Sequence, residues 1–295
     1  MSQKKSYLYG LAAVLMWSTV ATAFKLSLEM LQPMQLVLLA SATSILVLLV
    51  ILSFQKRLYL VAQCIQQRPW YYLSLGVINP FLYYAVLFAA YDLLPAQQAQ
   101  SLNYTWAITL SLLAVPFLGH KLRAVDLVAM LFGYLGVVVI ATRGQIMSMQ
   151  FDSLSGVGLA LLSTLIWAGY WILNTRNQAD AVASLLAAFL LGFPIILVAC
   201  YFSVGLPSFN PKAWLAASYV GIFEMGIAFV CWVKALKLSN NTAKISNLIF
   251  ISPFLSLFFI SHFLDEPIES ATFIGLAMIV VGLLISQKKS KTKQS

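Results

Sequence analysis

Charge is what this sequence has least of. Only 9% of its residues are Asp, Glu, Lys or Arg, against about 25% in soluble domains. A water-soluble fold of 295 residues could not hide a composition that is 61% hydrophobic, because the apolar surface left outside its core would face water. The shortage of charge excludes an ordinary soluble domain and makes lipid part of the solvent. Cysteine is scarce as well. Cys64, Cys200 and Cys231 stand singly in or beside apolar segments, with no CxxC pair. That excludes a disulfide framework, and the three read as core residues. The two histidines, His120 and His262, have no ligand spacing between them, so no metal is expected.

Catalytic and nucleotide motifs are missing too. Without a Gly-Lys-Ser/Thr phosphate loop the chain has no means of its own to consume ATP. GxSxG, HExxH and paired intramembrane aspartates are absent, so no known motif of an intramembrane protease or lipid transferase supports an enzyme. No cofactor is expected.

Long apolar runs are abundant. A spanning helix needs about 20 mostly apolar residues, and ten such segments are present, at roughly 6–26, 33–54, 70–91, 95–118, 125–142, 154–175, 182–203, 211–233, 241–263 and 270–286. Pro33, Pro69, Pro95 and Pro211 mark helix starts, where a missing N–H costs little. The longest break, around 143–153, is too short for a soluble domain. Lys4 and Lys5 before an apolar stretch, with Ala21-Thr22-Ala23 after them, imitate a cleaved signal peptide. The nine similar segments that follow argue for a retained first span. The fold class is therefore an all-α integral membrane protein of ten transmembrane helices.

The net charge of +9 is a matter of topology, not a nucleic-acid footprint. Of the 18 Lys and Arg residues, 15 fall in loops on one side and only Lys25, Arg143 and Lys212 on the other. By the positive-inside rule the richer side is cytoplasmic, which places both termini there. Glu29, Asp92, Asp152, Asp265, Glu266 and Glu269 fall on the poorly basic side.

The chain also repeats itself at an offset of about 145 residues. Gly76 aligns with Gly221, Asn79 with Glu224, Ala90 with Ala235, Gly136 with Gly282, and Phe117-Leu118-Gly119-His120 with Phe263-Leu264-Asp265-Glu266. Trp17 parallels Trp167. Five spans per repeat is an odd number, so the second half must be inserted upside down, giving a 5+5 inverted repeat with units 1–147 and 148–295. Ala129/Gly136 and Gly275/Gly282 form small-residue faces for close helix approach, within one chain or across a dimer. Packing within one chain is the expectation. Pro80, Pro116, Pro194 and Pro253 lie inside spans and can kink them.

Ala235-Leu236-Lys237-Leu238-Ser239, Ser252-Pro253-Phe254, Phe263-Leu264-Asp265-Glu266-Pro267 and the glycine-containing last span resemble the EamA-type pattern of the drug/metabolite transporter superfamily. Leu102-Asn103-Tyr104-Thr105-Trp106 is similar to a segment of the aromatic amino-acid exporters in that superfamily. The resemblance covers nearly the whole chain. Ala107 departs from the proline usual after that tryptophan, and His120 from the usual glutamate. The resemblance implies ten helices, a central cavity lined by the first four helices of each half, and efflux as the usual direction.

Glu224 is the acid deepest inside a span, where an ionisable group is costly and usually faces a cavity or a cation. It reads as a proton carrier or a partner for a substrate amine, or else as a structural group, ion-paired with Lys234 or Lys25 or hydrogen-bonded to a neighbouring helix. Aromatic and amide residues cluster in the same zones, as suits stacking and cation–π contacts. The candidate substrate site comprises Trp17, Asn79, Tyr83, Asn103, Tyr104, Trp167, Tyr170, Glu224 and Asn247. Trp70, Tyr71 and Tyr72 read as an interfacial belt.

The expected function is a secondary transporter of the inner membrane. It would export a small metabolite, such as an amino acid or a related amphipathic or cationic compound, by alternating access. The partners would be that small molecule and the lipid bilayer, with no nucleic acid. Transport would run with or without protons, in a monomer or a homodimer. The alternative is a non-transporting scaffold or receptor, with an intramembrane enzyme further behind.

Overall fold

The computed structural model describes residues 2–119, 124–147, 151–175, 177–240 and 242–288. His120, Lys121, Arg123, Arg176 and the lysines from 289 onward lie outside the described residues. Within them every regular element is a helix. Nine are long and apolar enough to cross a bilayer: Gln3–Leu28, Pro33–Phe54, Pro69–Leu93, Ala96–Leu118, Ala124–Ala141, Leu154–Asn174, Ala181–Ser203, Pro211–Lys237 and Lys244–Phe263. A tenth apolar helix, Ser270–Ile285, is shorter. They are numbered here as spans one to ten. A short helix, Tyr59–Gln67, links spans two and three. The chain is thus a multi-pass membrane protein.

Local chemistry sets the span ends. Pro33, Pro69 and Pro211 occupy the first turn of their helices. The Ser153 hydroxyl accepts from the Gly156 N–H at 3.0 Å. The Asp180 carboxylate accepts from the Val182 and Ala183 N–H groups at 3.2 and 3.1 Å, and Asn210 does the same for Lys212 and Ala213. Each such cap satisfies donors that the first helical turn leaves without partners. Gly119 closes span four with a φ of +70°, a left-handed ending that glycine adopts without a Cβ penalty.

The packing follows the repeat. Span one lies against spans eight and nine, and span six, its mate, against spans three and four. Span two packs on span eight as span seven packs on span three. Spans two and seven meet each other, and so do spans five and ten. Each neighbour pair thus has a partner pair, as a two-fold related bundle requires.

Single residues keep the same order. A Cβ added at Gly76 would collide with the carbonyl oxygen of Ala188, and one at Gly221 with that of Ala40. In the five–ten pair, a Cβ at Gly136 would fall 2.5 Å from the Gly275 oxygen, and one at Gly282 would fall 2.6 Å from the Ala129 oxygen. The small-residue faces therefore bring two backbones of the same chain together, where lipid supplies no hydrophobic drive and close van der Waals contact must do the work.

Two features of the sequence come out differently. Trp70 is exposed, as an interfacial residue would be, but Tyr72 is only 2% exposed and shares a 3.3 Å hydrogen bond with Ser184. Burial on span seven removes it from the belt. Tyr71 takes the Arg68 guanidinium over its ring at 4.2 Å. Glu224 is paired with neither of its suggested cations. Lys25 Nζ donates to the carbonyls of Tyr91 and Leu94 at 2.7 and 2.9 Å, and Lys234 sits over the Tyr9 ring.

Candidate functional site

Four spans are interrupted, and they are two repeat-related pairs. Span three breaks in a π-helical turn, Val77–Leu82, where Asn79 has φ −140° and ψ 115°. Span eight breaks between Phe223 and Ile227, with Gly226 at φ −111° and ψ −90°. Span four is cut after Asn103 and resumes at Trp106. Span nine passes through a 3₁₀ turn, Asn247–Phe250. Each break frees backbone groups that hydrocarbon cannot satisfy, so such breaks occur only where protein or a cavity covers them. π and 3₁₀ turns inside helices frequently mark functional positions.

A cavity of about 400 Å³ lies at these breaks. It brings together Trp17, Asn79, Tyr83, Asn103, Tyr104, Trp167 and Glu224. Two of the sequence candidates do not line it. Tyr170 is 2% exposed and stacks behind Trp167 with ring centroids 5.2 Å apart. Asn247 is exposed and not in the lining: it opens a 3₁₀ turn, which changes the angular step per residue, and Ile249 and Phe250 of that turn line the cavity with Ser246 before it. Sequence reasoning passed over Gln100, Phe229 and Trp232, which are also in the lining. Trp232 meets Trp17 edge-on, with centroids 5.3 Å apart. Its only signal in the sequence is that it follows Glu224 by two helical turns.

The polar groups are tied across the halves. The Tyr84 hydroxyl donates to Glu224 Oε1 at 3.1 Å. The Tyr83 hydroxyl donates to Asn103 Oδ1 at 3.4 Å, and Asn103 Nδ2 donates to Ser163 Oγ at 2.9 Å. The rings of Tyr83 and Trp167 stack with centroids 4.4 Å apart. The arrangement is an aromatic chamber with one carboxylate and a few amides, of the kind that orients a small amphipathic ligand. No group of three or more His, Cys, Asp or Glu able to hold a metal occurs among the described residues.

The model of the EamA-like transporter family matches the chain twice, over residues 4–142 and again over 154–287. The chain belongs to the EamA-like transporter family. Among its relatives, an aromatic amino acid exporter, YddG, of Ancylobacter novellus is 26% identical over 97% of this chain and 98% of its own length. An uncharacterized transporter, YvbV, of Bacillus subtilis is 22% identical over 76% of this chain and 73% of its own. A solved crystal structure shares the fold at a TM-score of 0.66, with 22% identity over 97% of both chains.

In this EamA-like chain the two ends of the bundle are held differently. At the end that carries Lys25, the Glu266 carboxylate accepts from the Ala96 and Gln97 N–H groups at 3.1 and 3.2 Å. A carboxylate is favoured at that helix start by the exposed donors and the helix dipole. Gln97 Nε2 donates to the Pro267 carbonyl at 2.9 Å, and Gln98 Nε2 to Asp152 at 2.7 Å. Arg143 Nε lies 2.8 Å from Asp152 and 3.2 Å from Glu269. At the other end Asp180 takes Arg57 Nη2 at 2.6 Å and Lys237 Nζ at 3.5 Å. Burial disfavours the Asp180 charge, but its backbone cap and Arg57 outweigh that and hold its carboxyl below the ordinary range.

Proposed function

We propose that this transporter exports a small metabolite, an amino acid or a related amphipathic or cationic compound, across an inner membrane by alternating access. The observation that carries the reading is the cavity at paired helix interruptions, with Asn79 and Glu224 at repeat-related positions. In inverted-repeat transporters the site lies at the repeat interface, on discontinuous helices. Trp17, Asn79, Tyr83, Asn103, Tyr104, Trp167 and Glu224 are the proposed contacts. The export direction and the amino-acid class draw on the name of the Ancylobacter relative. The proposed orientation puts both termini in the cytoplasm, on the strength of the asymmetry of Lys and Arg between loops.

Flux into and out of liposomes containing the purified protein tests the reading. A panel of labelled amino acids and organic amines should include solutes that equilibrate faster than in protein-free vesicles. Rates equal to the protein-free control across the panel would favour a scaffold or receptor.

A further inference from the structure

We infer that the preferred solute is an aromatic amine carrying one positive charge and no carboxylate, its ammonium held between Glu224 and Asn79. This rests on the transporter reading and narrows it.

The charge of the cavity favours a cation. Among the described residues lining the cavity, Glu224 is the sole Asp, Glu, Lys, Arg or His. A zwitterionic amino acid would bring its ammonium to Glu224 but bury its carboxylate without a cation. Lys25 does not line the cavity, and its ammonium donates to the Tyr91 and Leu94 carbonyls. The helix start at Ile227 offers free N–H groups, but Glu224 lies just before it and repels an anion there. An unpaired charge taken out of water is costly, whereas a paired and hydrogen-bonded one is tolerated.

The hydrogen-bonding capacity of the lining favours a donor. Three buried acceptors in the lining have no partner: Asn79 Oδ1, Gln100 Oε1 and Glu224 Oε2. One buried donor there, Trp171 Nε1, is also without a partner. An ammonium has three donors and no acceptor, so it matches this surplus of acceptors. Glu224 Oε2 and Asn79 Oδ1 belong to opposite halves, and one donor-rich group between them would join the two.

The walls of the cavity favour a flat ring. Tyr83 stacks on Trp167, and Trp17 meets Trp232. Aromatic faces attract both a flat ring and a cation.

The test compares three indole probes on the wild-type protein, each measured by equilibrium binding and by flux in liposomes: tryptamine as the amine, tryptophan as the zwitterion, and 3-methylindole as the neutral ring. Tryptamine should bind at least about tenfold more tightly than tryptophan, and Glu224→Gln should remove at least about tenfold of tryptamine affinity, as loss of one partner of a desolvated pair does. The variant should lose far less affinity for 3-methylindole than for tryptamine, because the neutral ring carries no charge for the acid to pair. Tryptophan binding as tightly as tryptamine would overturn the inference even if Glu224→Gln failed to fold. So would Glu224→Gln binding tryptamine like the wild type. Tryptophan transported in preference to tryptamine would sink the inference and leave the transporter reading standing. Tryptamine bound in the expected order but never moved would sink the transporter reading instead.

Discussion

The hydroxyl of Tyr84 donates to Oε1 of Glu224 across 3.1 Å, and so joins the third span, just past its break, to the eighth within its own. A hydrogen bond to a charged acceptor contributes about 1.5–3 kcal/mol when its partner would otherwise be left buried and bare. Tyr84→Phe should therefore lower the melting temperature of the purified protein. In a double-mutant cycle with Glu224→Gln the two changes should couple by about 0.5–3 kcal/mol. Strict additivity in thermal unfolding would show that the carboxylate is no better a partner for the Tyr84 hydroxyl than the amide oxygen that glutamine keeps.

The five–ten contact predicts a steep dependence on side-chain size. Gly136→Val places atoms where the Gly275 carbonyl already lies. Overpacking of a tight contact costs about 1–3 kcal/mol or more, so the yield of monodisperse protein on size-exclusion chromatography should fall sharply. Gly158→Ala is the control, because a Cβ there meets nothing within 4 Å. It should fold at least as well as the wild type, since alanine is the better helix former by about 1 kcal/mol.

Asp180 gives a pH signature. Its carboxyl is held below the ordinary range in the folded chain. The ionised form is therefore the stabilising one. Its contribution is fully present above the unfolded carboxylate value near about 4 and is lost as pH falls through the lower, folded value. Asp180→Asn keeps an N-cap but removes the charge facing Arg57 and Lys237. The difference in melting temperature between wild type and variant should be constant around neutral pH and close only in strong acid. A gap that opened or closed near neutrality would contradict the assignment.

Orientation is testable without a substrate. A reporter enzyme that matures only outside the cytoplasm, fused after Lys293, should be inactive, and the same reporter placed in the 143–153 connection should be active. The reverse pattern would invert the proposed topology.

Much of the architecture was legible in the sequence because bilayer thickness fixes span length, and the order of small residues betrays the repeat. Ala129, Gly136, Gly275 and Gly282 were readable as a contact, and that contact forms within one chain. The facing of individual side chains was harder to read. Most spans are apolar all round, so hydropathy does not say which face meets lipid and which meets the cavity. Trp232 and Phe229 were hidden for that reason. Asn247 was misplaced because its turn is 3₁₀, and a change in winding moves every side chain around the axis. Tyr72 looked interfacial from its neighbours Trp70 and Tyr71, but successive helix positions point in different directions, and span seven covers its direction.

The pairing of Asn79 with Glu224 has a consequence for how a solute is presented. A chamber built from two equal halves would accept a guest equally well in either of two poses related by half a turn. Here the two mates are nearly the same size, but only one of them is an acid. That difference in charge removes the degeneracy for a cationic guest. The ammonium proposed above would therefore be held to the second half by charge and to the first only by a neutral amide.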